Sequence, residues 1–143
     1  MMRFAICNEL FVGWDLRRIF RFCKGLGYHA VELAPFTLAE SVESITSDDR
    51  QAIRRIAQET EMDIAGLHWL LVKPAGLHLT TPDQEVRRRT AHYLVALAHF
   101  CADIGGKVLV LGSPKQRSIP EGSTFEQAWE RAVETLRPAV KAA

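Results

Sequence analysis

The sequence predicts an α/β fold: four βα units of a (β/α)8 barrel, a half-barrel with a parallel sheet and outer helices. Three observations predict it. Four short apolar runs recur along the chain: Phe4-Ala5-Ile6-Cys7, Ala30-Val31-Glu32-Leu33, Ile64-Ala65-Gly66-Leu67-His68 and Val108-Leu109-Val110-Leu111. Each is followed by a loop and then by apolar residues at helical spacing. Glycines, at Gly25 and Gly27 and again at Gly105-Gly106, separate a helix from the next strand, where a helix stop needs a left-handed residue. A βα unit repeated in series makes a parallel sheet, with functional loops at the C-terminal ends of the strands.

The first strand is read over Arg3–Cys7. Asp15 is placed to cap a helix that aligns Leu16, Ile19, Phe20 and Cys23. The second strand runs Tyr28–Leu33 and is broken by Pro35. Ser47 can cap the second helix, with Asp48 and Asp49 suited to its dipole and Ala52, Ile53, Ile56 and Ala57 on its buried face. The third strand spans Ile64–Leu70. Thr81-Pro82-Asp83-Gln84 reads as a capping Thr, a first-turn Pro and a reciprocal Gln, opening a helix whose inner face runs from Val86 to Ile104. The fourth strand is Lys107–Leu111. Ser123 with Glu126 forms a further capping box, and Phe125, Ala128, Trp129, Ala132, Val133 and Leu136 mark the inner face of the last helix. Pro138 is expected to kink or end it.

A chain of 143 residues has room for one domain, spanning 1–143, around one core. Net charge is +1, which argues against a nucleic-acid surface. No apolar stretch is long enough to cross a membrane, and the N-terminus lacks a signal-peptide pattern, so a cytoplasmic protein is expected. Cys7, Cys23 and Cys101 form no C-x-x-C pair and read as buried small hydrophobes.

Strand alternation sorts the candidate functional residues. Ala30 and Glu32 share one face of the second strand. Gly66 and His68 share one face of the third, with Ala65, Leu67 and Trp69 opposite. The more polar set is expected to face the barrel axis, bringing Glu32 and His68 to the barrel mouth. Glu32 could bind a metal, act as a base or accept from a sugar hydroxyl; the alternative is a paired structural carboxylate. His68, beside Trp69, could contact substrate or ligate a metal, or it could be a satisfied core histidine. The loop Gly112–Arg117 offers Ser113, Lys115, Gln116 and Arg117 to an anionic or polyhydroxylated ligand; a solvated loop is the alternative. Lys73, His78 and the Trp69 ring could shape the same rim. Arg87-Arg88-Arg89 reads as a solvated helix face, and no P-loop, G-x-G-x-x-G, H-E-x-x-H or G-x-S-x-G motif occurs.

Gly27–Leu33, Ala65–Trp69, Leu77–Asp83 and Gly105–Pro114 together, in this order, resemble the xylose isomerase-like TIM barrel superfamily. That superfamily includes sugar and sugar-phosphate isomerases, ketose 3-epimerases and an apurinic endonuclease branch. The resemblance implies a carbohydrate substrate and metal-dependent proton transfer beside a carbonyl. It also implies a divalent metal (Mn, Mg, Co or Zn) held in the complete barrel by carboxylates and a histidine. In the epimerase branch the metal ligands and the catalytic glutamate pair lie on later strands, so this chain has no catalytic or metal position to match them. What it matches is the substrate side: Glu32, His68 and Trp69, with Ser113, Lys115 and Arg117. Alone, these four units are expected to be inactive and metal-free. In the endonuclease branch histidines follow strands three and four; His68 fits the first, and Gly112-Ser113 offers none for the second.

Half a barrel leaves two sheet edges and the axis face, with Ala30, Val108 and Val110, open to water or to another chain. The expectation is a truncated piece of a longer protein. Self-pairing into a pseudo-barrel and a non-catalytic binding module are the alternatives.

Overall fold

The computed structural model describes residues 2–143. Eight elements alternate along it: β1 (Ala5–Cys7), α1 (Leu16–Gly25), β2 (Ala30–Leu33), α2 (Ser47–Glu59), β3 (Asp63–His68), α3 (Gln84–Ile104), β4 (Val108–Val110) and α4 (Phe125–Ala142). Short 3-10 turns lie at Asn8–Leu10, Pro35–Thr37, Val42–Ser44 and Pro114–Arg117. The strands form one parallel sheet in the order β1-β2-β3-β4. Each unit therefore adds its strand beside the last, the connectivity of half a (β/α)8 barrel.

The core lies between sheet and helices. Val31, Leu33, Ile64 and Leu67 point from the strands into it, against Ile19, Phe20 and Cys23 of α1, Ile53 and Ala57 of α2, and Leu94, Leu97, Phe100 and Cys101 of α3. Ile64 and Leu67 are three residues apart, which strict alternation forbids on one strand face. A register shift reconciles them. Val31 pairs with Ile64, but Glu32 pairs with Gly66, so Ala65 is an extra residue in β3. The expected pattern survives on the far side of the shift, where Glu32, Gly66 and His68 take the axis face.

Gly66 pairs with Val108 where β3 runs beside β4. A Cβ added there would lie 2.0 Å from the carbonyl oxygen of Val108, so only glycine fits. β3 ends at His68 rather than Leu70, because Trp69 turns into the left-handed region at φ 57°.

Asp15 caps α1 as expected, accepting from Arg18 N–H, while the other three helix starts differ from the sequence reading. Thr46, not Ser47, caps α2; its hydroxyl accepts from Asp49 N–H while the Asp49 carboxylate accepts from Thr46 N–H. Asp83, not Thr81, caps α3, accepting from the N–H groups of Glu85 and Val86. Thr124, not Ser123, caps α4, with Gln127 rather than Glu126 closing the box. In each case two acceptors compete within two residues, and the one that reaches an unpaired first-turn N–H wins. Pro138 neither ends nor replaces the helix, which continues to Ala142. Pro138 is exposed and lies inside the helix, where its missing N–H leaves the Glu134 carbonyl without a helical donor.

α4 also turns differently from the reading. Its buried residues are Ala128, Thr135 and Ala139, while Phe125, Trp129 and Val133 are exposed. Among the axis-face residues expected to be open, Val108 is 52% exposed, but Ala30 is buried, being small and flanked by strands on both sides.

Residues 77–80 clasp the β3 and β4 sides together. Leu79 N–H donates to Gln116 C=O at 2.7 Å, Thr80 Oγ1 donates to Ser118 C=O, and Thr80 N–H donates to His78 Nδ1 at 3.3 Å. Burial lowers the His78 pKa below its ordinary 6.5, and accepting through Nδ1 requires the neutral ring. The unfolded chain therefore takes up the proton first as pH falls. The contribution of His78 to stability is complete above its ordinary pKa and is lost as pH drops through the lowered folded value. Thermal melts between pH 7 and 5 should fall more steeply for the native chain than for His78→Gln; equal slopes would contradict this role.

Candidate functional site

β2 and β3 deliver two side chains to the same end of the sheet. Glu32 is the penultimate residue of β2 and His68 the last residue of β3, and the register shift at Ala65 puts both on the axis face. The Glu32 Oε2 atom stands 3.4 Å from His68 Nδ1, with each side chain about one-quarter exposed. That geometry does not complete a hydrogen bond, and His68 Nδ1 is buried without one. A buried nitrogen left so costs about 1–3 kcal/mol. The pair is therefore a polar site whose demand for a partner is unmet by the protein.

Trp69 follows directly and stands beside the His68 ring. Its left-handed backbone swings the indole over the rim, where it lies 6.1 Å from the His68 ring and 6.2 Å from Phe36, centroid to centroid. Gly112, after β4, makes room for this. A Cβ there would come within 3.0 Å of Trp69 Cδ1 and 3.6 Å of His68 Cε1. Trp69 as a whole is 39% exposed.

Asn8, just beyond β1, fixes the β2 side of the rim. Its Oδ1 accepts from Ala34 N–H at 2.7 Å, and its Nδ2 donates to Thr37 Oγ1 at 2.8 Å. Asn8 and Ala34 are both buried, so the side chain satisfies a backbone group that water does not reach. Sequence reasoning passed over Asn8 and Gly112. An amide directly after a strand was the available signal for Asn8; the role of Gly112 depends on where Trp69 lies, which no local pattern reveals.

The remaining candidates divide. Ser113 is 2% exposed and its Oγ accepts from Leu71 N–H at 3.1 Å, so its hydroxyl is engaged in tying the β3 and β4 loops. Lys115 and Arg117 are exposed on the Pro114–Arg117 turn. Lys73 pairs with Glu40 at 2.9 Å. His78 belongs to the loop clasp already described. Cys7 is the register partner of Glu32; burial pushes its thiol pKa up to about 11, so it is a neutral neighbour and not a nucleophile at physiological pH.

Glu32 and His68 supply two donors of the kind a divalent ion takes. Among the described residues no three His, Cys, Asp or Glu side chains converge. The four units by themselves therefore do not fit the metal that the sequence resemblance implies. Among the described residues, no helix is long and apolar enough to cross a membrane.

A family model described as xylose isomerase-like TIM barrel matches residues 20–143. No curated protein matches the chain in sequence. Among solved structures the chain is similar to D-psicose 3-epimerase from Clostridium cellulolyticum H10, crystallised with D-tagatose. The TM-score is 0.69 at 17% identity, over 99% of this chain and 48% of that one. It is also similar to 3-keto-D-glucoside 4-epimerase from E. coli in its apo form, with a TM-score of 0.68 at 13% identity, over 99% of this chain and 53% of that one. A D-psicose 3-epimerase in the presence of D-fructose gives 0.66 at 13% identity, over 99% and 50%. At these identities the likeness establishes the fold. The chain spans about half the length of each of these proteins.

Proposed function

The chain belongs to the xylose isomerase-like TIM barrel family, and from that premise we propose that it carries the sugar-holding side of a carbohydrate isomerase or epimerase site. The observation that carries the reading is the Glu32–His68 pair, 3.4 Å apart with His68 Nδ1 buried and unbonded. A hydroxyl group both donates and accepts. One sugar hydroxyl would donate to the Glu32 carboxylate, and a neighbouring hydroxyl would meet the exposed part of the His68 ring, accepting or donating according to the tautomer. Two adjacent hydroxyls of a ketose would satisfy both residues at once. Trp69 offers its ring face to the C–H side of the same sugar, burying apolar surface that a polyol chain alone presents less well.

Lys115 and Arg117 extend the rim and suit a hydroxyl or an anionic substituent at the far end of the sugar. In this reading proton transfer beside the carbonyl belongs to the complete barrel and to groups outside these four units. Glu32, His68 and Trp69 bind and orient.

The test is a titration of the chain with D-psicose, D-tagatose and D-fructose, followed by two-dimensional amide and indole NMR. The expected result is millimolar binding, with shifts concentrated at His68, Trp69 and Gly112. Glu32→Gln should weaken it about tenfold, the loss of a charge-assisted hydrogen bond. A folded chain whose Trp69 indole signal stays unmoved by all three sugars would overturn the proposal.

A further inference from the structure

We propose that Gly112 and Ser113, directly behind β4, are the positioning residues for Trp69: the first sets where the indole lies beside His68, and the second locks the turn that carries it. The inference rests on the sugar reading for what Trp69 does, but not for where Trp69 lies.

It starts from a strained residue. Trp69 has a φ of 57°, a conformation that crowds the Cβ of an L residue and that a bulky side chain rarely adopts. Such a residue persists only where its surroundings hold it, and such residues gather at ligand sites. Here the hold comes from the β4 side. Leu70 and Leu71 follow Trp69 and are both buried, so the chain passes from the indole straight into the core. At that point Ser113 Oγ accepts from Leu71 N–H at 3.1 Å, and Ser113 is itself buried. A buried amide requires an acceptor, so this hydroxyl fixes the backbone two residues beyond the indole.

Gly112 acts on the ring. Its N–H donates to Val110 C=O at 2.9 Å, which fixes its place behind the strand. Its backbone is not left-handed, so the turn does not call for glycine; the space does. A Cβ there would stand 3.0 Å from Trp69 Cδ1 and 3.3 Å from Trp69 Nε1, but at an ordinary 3.6 Å from His68 Cε1. An added methyl group therefore crowds the indole and no backbone atom. The indole has little freedom to withdraw. Phe36, behind β2, lies 6.2 Å from it between centroids, and β2 and β4 flank β3 on opposite sides. Trp69 is thus placed between a ring on one side and a missing side chain on the other. The volume at position 112 sets the position of the indole, and with it the width of the sugar rim. These contacts join neighbouring units and do not involve the outer edges of β1 and β4.

The test reads Trp69 by NMR in the chain without sugar and then in the presence of D-psicose, D-tagatose or D-fructose. In Gly112→Ala the Trp69 indole N–H resonance should move and its cross-relaxation with the His68 ring should change. The melting temperature should stay within about 2 °C of the native value. Sugar affinity should fall about fivefold. In Ser113→Ala the Leu71 amide should exchange about tenfold faster, with the Trp69 indole signal broadened. An unmoved indole in a folded Gly112→Ala chain would overturn the proposal, and so would a moved indole with native sugar affinity. Shifts spread through the core with a lowered melting temperature would also overturn it, because they assign Gly112 to packing alone. Unchanged exchange at Leu71 would remove Ser113 from the pair. A native chain that binds none of the three sugars overturns the sugar reading instead, and the indole resonance of Gly112→Ala still decides whether position 112 places Trp69.

Discussion

Gly66→Ala should cost about 4 kcal/mol of stability and lower the melting temperature by roughly 10 °C. The reason is local and steric. The added Cβ would sit 2.0 Å from Val108 O, 2.7 Å from Val108 C and 2.8 Å from Val108 N. All three are backbone atoms, so no rotamer change relieves the clash. β3 and β4 would have to separate, and their pairing runs only from Gly66–Val108 to His68–Val110. With net stability typically about 5–15 kcal/mol, a loss of this size leaves the β4 unit frayed or the chain unfolded. Gly25→Ala is the control. Nothing lies within 4 Å of a Cβ at that position, and its backbone is not left-handed. The change there should be neutral or slightly stabilising, by about 0.5 kcal/mol. Urea unfolding followed by circular dichroism measures both, and a Gly66→Ala loss under about 1 kcal/mol would mean that the strands are not locked together as described.

Asn8→Ala should cost about 2–3 kcal/mol, out of proportion to the few atoms removed. The truncation strands the Ala34 N–H, whose residue is fully buried, and leaves Thr37 Oγ1 without its donor. A buried donor with no acceptor bears its whole desolvation penalty. Thr37→Val removes two hydrogen bonds, the one accepted from Asn8 Nδ2 and the one donated to the Ala34 carbonyl, but keeps the Ala34 N–H paired, and it should cost about 1–2 kcal/mol. Hydrogen exchange reads the difference. The Ala34 amide should lose protection in Asn8→Ala and keep it in Thr37→Val; protection retained in both would remove Asn8 from its assigned role. Since Ala34 follows β2 directly, the same variant should also loosen the position of Glu32 and broaden its neighbours in NMR spectra.

The half-barrel was legible because its signals are periodic. Four apolar runs, four helix patterns and the glycines between them each report the same architecture. Glu32 and His68 were legible as a pair because side-chain alternation assigns faces without knowledge of depth. The extra residue at Ala65 was not, since a bulge changes phase without changing composition; the one trace was that both Ile64 and Leu67 are strong core residues. The helix caps slipped by a residue or two because Ser47, Thr81 and Ser123 are chemically adequate caps, and the choice of Thr46, Asp83 and Thr124 is made by backbone direction. α4 was read with Phe125, Trp129 and Val133 inward, on the rule that large apolar residues are buried. That rule fails here: the small residues Ala128, Thr135 and Ala139 are the buried ones. The engagement of Ser113 with Leu71 could not be read either, because it joins two loops across 42 positions.

The strand order has a further consequence for how the chain comes into being. β2, β3 and β4 each neighbour the strand synthesised just before them, so each meets a pairing partner already made. Folding can keep pace with translation, each unit docking on a finished template, and the growing edge is always the newest strand. The same property makes the seams between units natural places for recombination, since a cut between one helix and the next strand severs no interleaved pairing.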